Sequence, residues 1–323
     1  MDRIPLLPPT IRPVVQGELR PLWSVMIPVY NCAQYLTETL QSVLSQRIAH
    51  DMQIEVIDDA STDADVEAIV AEIGAGCVKY FRQPENVGSL RNFETCINRS
   101  RGQLIHLLHG DDRVRPGFYE KISELFENYP EAGAAFCRFG YIDEAGHYKY
   151  TQPAEASQEG ILENWLLKIG ERNRIQYASI VVRRGVYEQI GSFCGVTYGE
   201  DWEMWARIAH QFPVAYTPQT LADYRKHMSS ISGNKSLYGE YLDDLADVMQ
   251  SIQQYLPIDK KEAVLRESKK FYSHHGVRLA NELWHISHDK QAIGKLFRKL
   301  TAMHKDPALY FKILKLRIKL LIQ

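Results

Sequence analysis

The sequence predicts an α/β fold: a doubly wound, mostly parallel sheet flanked by helices, with an all-helical extension at its C-terminal end. Two observations carry this expectation. Short apolar runs alternate with helix-period segments from Leu22 to Tyr129, the pattern of strands joined by crossover helices. Beyond Ser236 nearly every segment has helical periodicity and glycine becomes scarce.

The elements follow in order. Residues 1–21 carry Pro5, Pro8, Pro9, Pro13 and Pro21 and read as an extended arm rather than a packed element. Leu22–Ile27 is the first strand, and Pro28 stops it. Ala33, Leu36, Leu40, Val43 and Leu44 then share one helical face up to Gln46. Ile54–Ile57 is a strand, Val66, Ile69, Val70 and Ile73 mark a helix, Val78–Phe81 is a strand, and a helix follows around Leu90–Ile97. Leu104–Leu108 is a buried strand, and Pro116 suits the first turn of a helix reaching Tyr129. Ala134–Phe139 is a strand, Asp143–Gly146 a turn opening a polar segment to about Glu159, and Ala178–Val182 another strand. A helix starts near Glu200, with Trp202, Trp205, Ile208 and Ala209 on one face. The expected divisions are an arm over 1–21, an α/β domain over 22–235 and a helical region over 236–323.

Bulk properties narrow the class. Hydrophobic residues make up 45% and charged residues 24%, a globular balance that argues against wholesale disorder. A formal net charge of −2 gives no overall pull toward nucleic acid. Cys32, Cys77, Cys96, Cys137 and Cys194 form no CxxC pair and no Cys/His cluster, so they read as buried or half-buried free thiols in a reducing cytoplasm. Asp2 and the early prolines read against a signal peptide, and no run reaches the ~18 apolar residues of a membrane-crossing helix. A cytoplasmic protein is expected, lying at most on a membrane surface.

In parallel α/β sheets ligands sit beyond the carboxyl ends of the strands. Acidic groups fall there: Asp58 and Asp59 after the second strand, Asp111 and Asp112 after the fourth, Glu200 and Asp201 at a helix start. Each pair alone has a structural reading, as caps or as charges that complement a helix dipole. Together they describe a hard-oxygen site for Mg²⁺ or Mn²⁺ that could hold a diphosphate, plus a separate carboxylate able to accept a proton from a hydroxyl.

The motifs, in order, are Ile27-Pro28-Val29-Tyr30-Asn31, Gln46, Asp58-Asp59-Ala60-Ser61-Thr62-Asp63, Asn86-Val87-Gly88 with Arg91-Asn92, Gly110-Asp111-Asp112, Gly199-Glu200-Asp201 and Tyr224-Arg225-Lys226-His227. In this the chain resembles glycosyltransferase family 2, whose members have a GT-A fold, over roughly residues 22–232. The resemblance implies an inverting, metal-dependent transfer of a sugar from a nucleotide-diphosphate donor, UDP foremost, to a hydroxyl of a glycan or lipid-linked acceptor in bacterial surface polysaccharide synthesis. It implies that Pro28, Tyr30, Asn31 and Asp59 hold the nucleotide and that Arg91 approaches it. Asp111 and Asp112 would bind metal and ribose-diphosphate, Asp201 would be the general base with Glu200 beside it, and Arg225 and His227 would reach the diphosphate or metal. Many relatives carry an acid where this chain has His109, which reads as a packed histidine and is left out of the metal set.

Two other readings compete. A catalytically silent nucleotide-sugar-binding scaffold would have no need of both Asp112 and Asp201. A nucleotidyltransferase would carry a glycine- and lysine-rich phosphate loop where this chain has Pro28-Val29-Tyr30-Asn31. The last helix places Lys312, Lys315 and Lys319 on one side among apolar residues, which suits a helix lying on an anionic membrane or one packing on the domain or on a second copy of the chain. His274 and His275, adjacent on a helix, point in different directions and read as surface or packing residues.

Overall fold

In β1 (Trp23–Val29), Trp23, Val25, Ile27 and Val29 pack into one apolar layer and Met26 into another, the period-two division of a strand buried on both faces. The computed structural model describes residues 2–15, 17, 19–46, 52–228, 230 and 240–322. After β1 come α1 (Ala33–Leu44), β2 (Met52–Asp58), α2 (Val66–Gly74), β3 (Lys79–Arg82), α3 (Ser89–Arg99) and β4 (Leu104–Leu107). Then follow β5 (Arg113–Val114), α4 (Phe118–Asn128), β6 (Ala134–Ile142), β7 (Tyr148–Thr151), β8 (Gly160–Ile161), α5 (Trp165–Glu171), β9 (Ile180–Arg183), α6 (Arg184–Ile190), α7 (Glu200–Gln211) and β10 (Val214–Arg225). The last helices are α8 (Tyr241–Ile252), α9 (Lys261–Ser287), α10 (Lys290–Met303) and α11 (Pro307–Ile322).

The strand order is β3-β2-β1-β4-β9-β6-β10-β5, with β7 on β6 and β8 on β10. The long ladders, β1 with β2 and β6 with β10, are parallel, whereas the antiparallel pairs are short. The doubly wound expectation therefore holds. Helices α1, α2 and α4 cover one face, while α3, α5, α6, α7 and the C-terminal helices share a single core on the other.

Several local expectations change. Pro28 does not stop β1: it pairs with Ile57, and its carbonyl accepts from Gly110 N–H at 3.2 Å. Backbone N–H and C=O of one strand residue point to the same side, so the missing N–H faces the chain just past β4, between the bonds that Leu108 N–H makes to Met26 and Gly110 N–H makes to Pro28. The arm is extended but packed. Pro5 and Ile11 are buried, and the carbonyls of Pro5 and Pro9 accept from Gly195 and Ser192. The strand read over Ala178–Val182 begins as a turn of 3-10 helix, Tyr177–Ser179, because Ser179 closes on the Gln176 carbonyl through both N–H and Oγ. The cysteines form no disulfide; four of them are buried, but Cys77 is exposed. The boundary expected at residue 235 lies outside the described residues. On its far side α9 docks on α5, where Ser268 Oγ donates to the Gly170 carbonyl at 3.0 Å.

Gly102, just before β4, shows how tightly the central strands approach. A Cβ there would stand 2.5 Å from the backbone of Trp23 and Ser24. Gly102→Ala is expected to cost about 1–3 kcal/mol, as overpacking against backbone does. The check is a urea melt with a lower midpoint and an unchanged slope.

Candidate active site

A cleft of about 1330 Å³ opens at the carboxyl ends of the sheet. Its walls include Pro28 near the end of β1, Tyr30 and Asn31 just after it, Asp59 after β2, His109 and Asp111 after β4, Lys226 and His227 after β10, and Glu200 and Asp201 at the start of α7.

The first wall is made by two strand-end loops that hold each other. Asn31 Oδ1 accepts from Thr62 N–H at 2.8 Å, and Asn31 and Ala60 both adopt left-handed backbone, with φ of 49° and 59°. Asparagine tolerates that conformation, whereas alanine carries a steric cost, so the Asp59–Thr62 turn is held by its contacts. Asp58 is structural: buried, it accepts from Ser61 N–H, Tyr80 Oη and Arg82. Asp63 caps α1 through Ala33 N–H, and Asp65, not Asp59 or Asp63, caps α2. Asp59 accepts from Val87 and Gly88 N–H at 2.7 and 3.0 Å, and burial raises its pKa. Tyr30 is half exposed and presents its ring to the cleft.

The acidic loop after β4 has three parts. Asp111 faces the cleft and shares a 2.9 Å hydrogen bond with His227 Nε2. Burial works against its charge, but His227 and the nearby imidazoles outweigh that and hold its pKa below the usual value. Asp112 is buried behind it, accepts from Arg225 N–H at 2.8 Å, and is driven well up by burial and by the charge of Asp111. His109 stacks between Tyr177 and Phe93, at 4.2 and 5.1 Å, and burial lowers its pKa. Its Nε2 is buried with no hydrogen-bond partner among the described residues. Ligand atoms of His109, Asp111 and Asp112 lie within 4.8 Å of one another. Two carboxylates and a buried imidazole whose Nε2 has no partner among the described residues fit a divalent cation such as Mn²⁺ or Mg²⁺. His109 thus joins the set from which the sequence reading left it out.

On the opposite side Asp201 sits in the first turn of α7. Its Oδ2 accepts from Asn173 Nδ2 at 2.6 Å and its Oδ1 from Trp202 N–H at 2.7 Å. Burial outweighs both bonds and pushes its pKa up to about 6. Glu200 beside it accepts from Tyr177 Oη at 3.2 Å. Asn173 is itself fixed by Tyr272 of α9, whose Oη accepts from Asn173 N–H at 3.0 Å.

Two expected contacts are not made. Arg91 turns away from the cleft, because its guanidinium is taken by the Asp2 carbonyl and by Glu94, and it lines a separate groove. Arg225 is buried beneath the acidic loop, its donors spent on the carbonyls of Asp111, Asp143 and Glu144 and on Glu38, so it braces the loop instead of facing the cleft. His275, read as a surface or packing residue, lines the cleft. Asn173, Tyr177 and Tyr272 escape sequence reasoning because their roles depend on contacts far along the chain, with no local pattern to mark them.

Residues 24–191 match the family described as Glycosyl transferase family 2. The chain is 29% identical to uncharacterized protein MT1568 of Mycobacterium tuberculosis, over 65% of this chain and 69% of that protein. It is 30% identical to uncharacterized protein Rv1520 of the same species, over 64% of this chain and 60% of that protein. It is 24% identical to uncharacterized glycosyltransferase RT0329 of Rickettsia typhi, over 66% of each. Among solved structures it resembles S. aureus TarS 1-349 in complex with UDP-GlcNAc, with a TM-score of 0.64 at 13% identity, over 90% of this chain and 86% of that one. The sheet, its helical layers and this likeness make the fold GT-A, and with more than half its length matched the chain belongs to glycosyl transferase family 2.

Proposed function

We propose that this protein is an inverting glycosyltransferase that moves a sugar from a UDP-sugar to a hydroxyl of a glycan or lipid-linked acceptor. Its context would be bacterial surface polysaccharide synthesis on the cytoplasmic side of a membrane. The observation that carries the reading is Asp201, a buried carboxylate raised to about 6 and aimed by Asn173, in the same cleft as the Asp111–His227 pair. TarS binds UDP-GlcNAc on the same fold, which supports a UDP-sugar donor.

Pro28, Tyr30, Asn31 and Asp59 form the nucleotide wall, with the Tyr30 ring free to stack. A divalent cation held by Asp111, Asp112 and His109 would neutralise the charge of the departing diphosphate. Asp201 accepts the proton of the acceptor hydroxyl as its oxygen attacks the anomeric carbon; the bond from that carbon to the phosphate oxygen breaks and the nucleoside diphosphate leaves. Glu200, fixed by Tyr177, shapes the acceptor side. With Asp201 as the one base and no residue assigned as a covalent nucleophile, the reading is inversion.

Asp201 acts only when deprotonated. Turnover is therefore expected to be flat above its pKa and to fall about tenfold per pH unit below it. Asp201→Asn is expected to reduce transfer by ~10²–10⁴-fold while UDP still binds; full activity would remove Asp201 from this role. The founding test is thermal shift with UDP in Mn²⁺ or EDTA, together with release of nucleoside diphosphate. UDP should stabilise the protein only with the cation, and Asp111→Asn should abolish that effect. Release of pyrophosphate instead would mark a nucleotidyltransferase, and no response to any nucleotide would end the enzyme reading.

The C-terminal helix supports peripheral membrane contact. No helix among the described residues is long and apolar enough to cross a membrane. In α11, Leu309, Ile313, Leu316 and Leu320 are buried against the protein, while Tyr310, Phe311, Leu314 and Ile318 face outward, Phe311 with 68% exposure. Arg317 and Lys315 flank that outer stripe at helical spacing, the arrangement of a helix lying on anionic lipid. The triple change Phe311→Ser, Leu314→Ser and Ile318→Ser should weaken sedimentation with phosphatidylglycerol vesicles about tenfold or more. Absence of binding by the unaltered protein would overturn this contact.

A further inference from the structure

We propose that the half of the cleft walled by α9 is an anion-binding acceptor subsite for a molecule that joins a phosphate group to an apolar chain. This rests on the glycosyltransferase reading and adds the class of acceptor.

The cleft exceeds the ~300–1,000 Å³ of a single small-ligand pocket, which leaves room for a second substrate beside the donor. Two neighbouring stripes of α9 line it. Phe271, His275 and Arg278 recur at helical spacing along one, and Leu279, Leu283 and Ile286 along the other. The first stripe is a run of stacked rings that ends on the Arg278 guanidinium and is covered by that of Arg172. The Arg172 guanidinium lies 4.7 Å over the Phe271 ring, Phe271 is parallel to the His275 ring at 6.0 Å, and Arg278 bonds His275 Nδ1 at 2.9 Å. Lys226 completes the group, held by Tyr150 Oη at 3.1 Å and by the Tyr141 ring.

Structural arginines elsewhere in this protein spend their donors on carboxylates or on backbone carbonyls, as Arg183 does on Ala132, Phe126 and Pro130. Arg174, next to this group, is fixed between Glu155 and Glu171. Arg172, Lys226 and Arg278 have no carboxylate within ion-pair distance among the described residues, although Glu282 stands one turn beyond Arg278. The mutual repulsion is visible at His275, which burial and the charges of Arg278 and Lys226 push down to about 4. Glu155 and Glu171 act on Arg172 only at longer range, and cations without a direct carboxylate partner in a concave wall attract an anion, whose oxygens match the guanidinium fork when it is a phosphate.

Position assigns this anion to the acceptor. Arg172 immediately precedes Asn173, the residue that aims Asp201, whereas the donor diphosphate belongs with Asp111 and His227 on the other wall. From Arg278 the apolar stripe runs to Ile286, which is 54% exposed at the cleft mouth, a path for a chain leaving the site.

The test uses the full protein saturated with UDP and Mn²⁺, titrated with octyl phosphate, octanol and inorganic phosphate by calorimetry. Octyl phosphate should bind more tightly than either fragment. Arg172→Gln and Arg278→Gln should each weaken it about tenfold or more with UDP affinity unchanged, as expected for loss of a charge-assisted bond. Leu283→Ser should weaken octyl phosphate but leave inorganic phosphate unaffected. Equal octyl phosphate binding by both arginine variants would overturn the proposal, as would displacement of UDP by octyl phosphate, which would assign the cations to the donor. If UDP fails to bind the unaltered protein, the donor reading falls first and this subsite with it.

Discussion

The site depends on the buried guanidinium of Arg225. Two consecutive aspartates in a low-dielectric corner repel one another, and the loop that carries them has few internal bonds of its own. Arg225 reaches the carbonyl of Asp111 through its side chain and the carboxyl of Asp112 through its backbone, and it also binds the carbonyls of Asp143 and Glu144. The ends of β4, β6 and β10 thereby meet at one planar cation, which lies over the Tyr35 ring of α1. Desolvating a charge this completely is costly, and the contact with Glu38 together with the carbonyls offsets it.

A second feature joins the walls of the cleft. Beneath its floor Phe93, His109, Tyr177, Phe193 and Trp205 form a continuous aromatic cluster. One end carries the acidic loop through His109, and the other carries α7 and, through Tyr177, the carboxyl of Glu200. Rigid rings with few rotatable bonds hold the two groups of acids in fixed relation, which is what preorganised electrostatics requires.

Much of this was legible in the sequence. The alternation from Leu22 to Tyr129 is a strong local signal; the strand-end rule picks out Asp59 and Asp111 because those positions follow from topology, and a helix start marks Asp201. What local signals miss is where a long side chain goes. Arg91 and Arg225 both read as phosphate ligands, yet their guanidinia are satisfied by backbone carbonyls and by Glu94 and Glu38, a choice made by tertiary neighbours. Pro28 reads as a strand breaker, yet it lies just past the end of the adjacent strand, and its pairing with β2 runs on to Val29. His109 reads as a packed histidine, and it is one, but stacking fixes only its ring faces and leaves a ring nitrogen within 4.8 Å of carboxylate oxygens of Asp111 and Asp112.

The bond from Asn173 to Tyr272 has a consequence for how such chains diversify. Asp201 belongs to the α/β layer, but the amide that orients it is steadied from α9. The C-terminal helices are therefore not an interchangeable module that could be swapped to alter preference while the reaction is left untouched. Recombination between family members at the junction before α8 would replace the neighbour that steadies this carboxylate. New helices could be inherited productively only with a matching tyrosine or a compensating change near Asn173, so the two segments are constrained to evolve together.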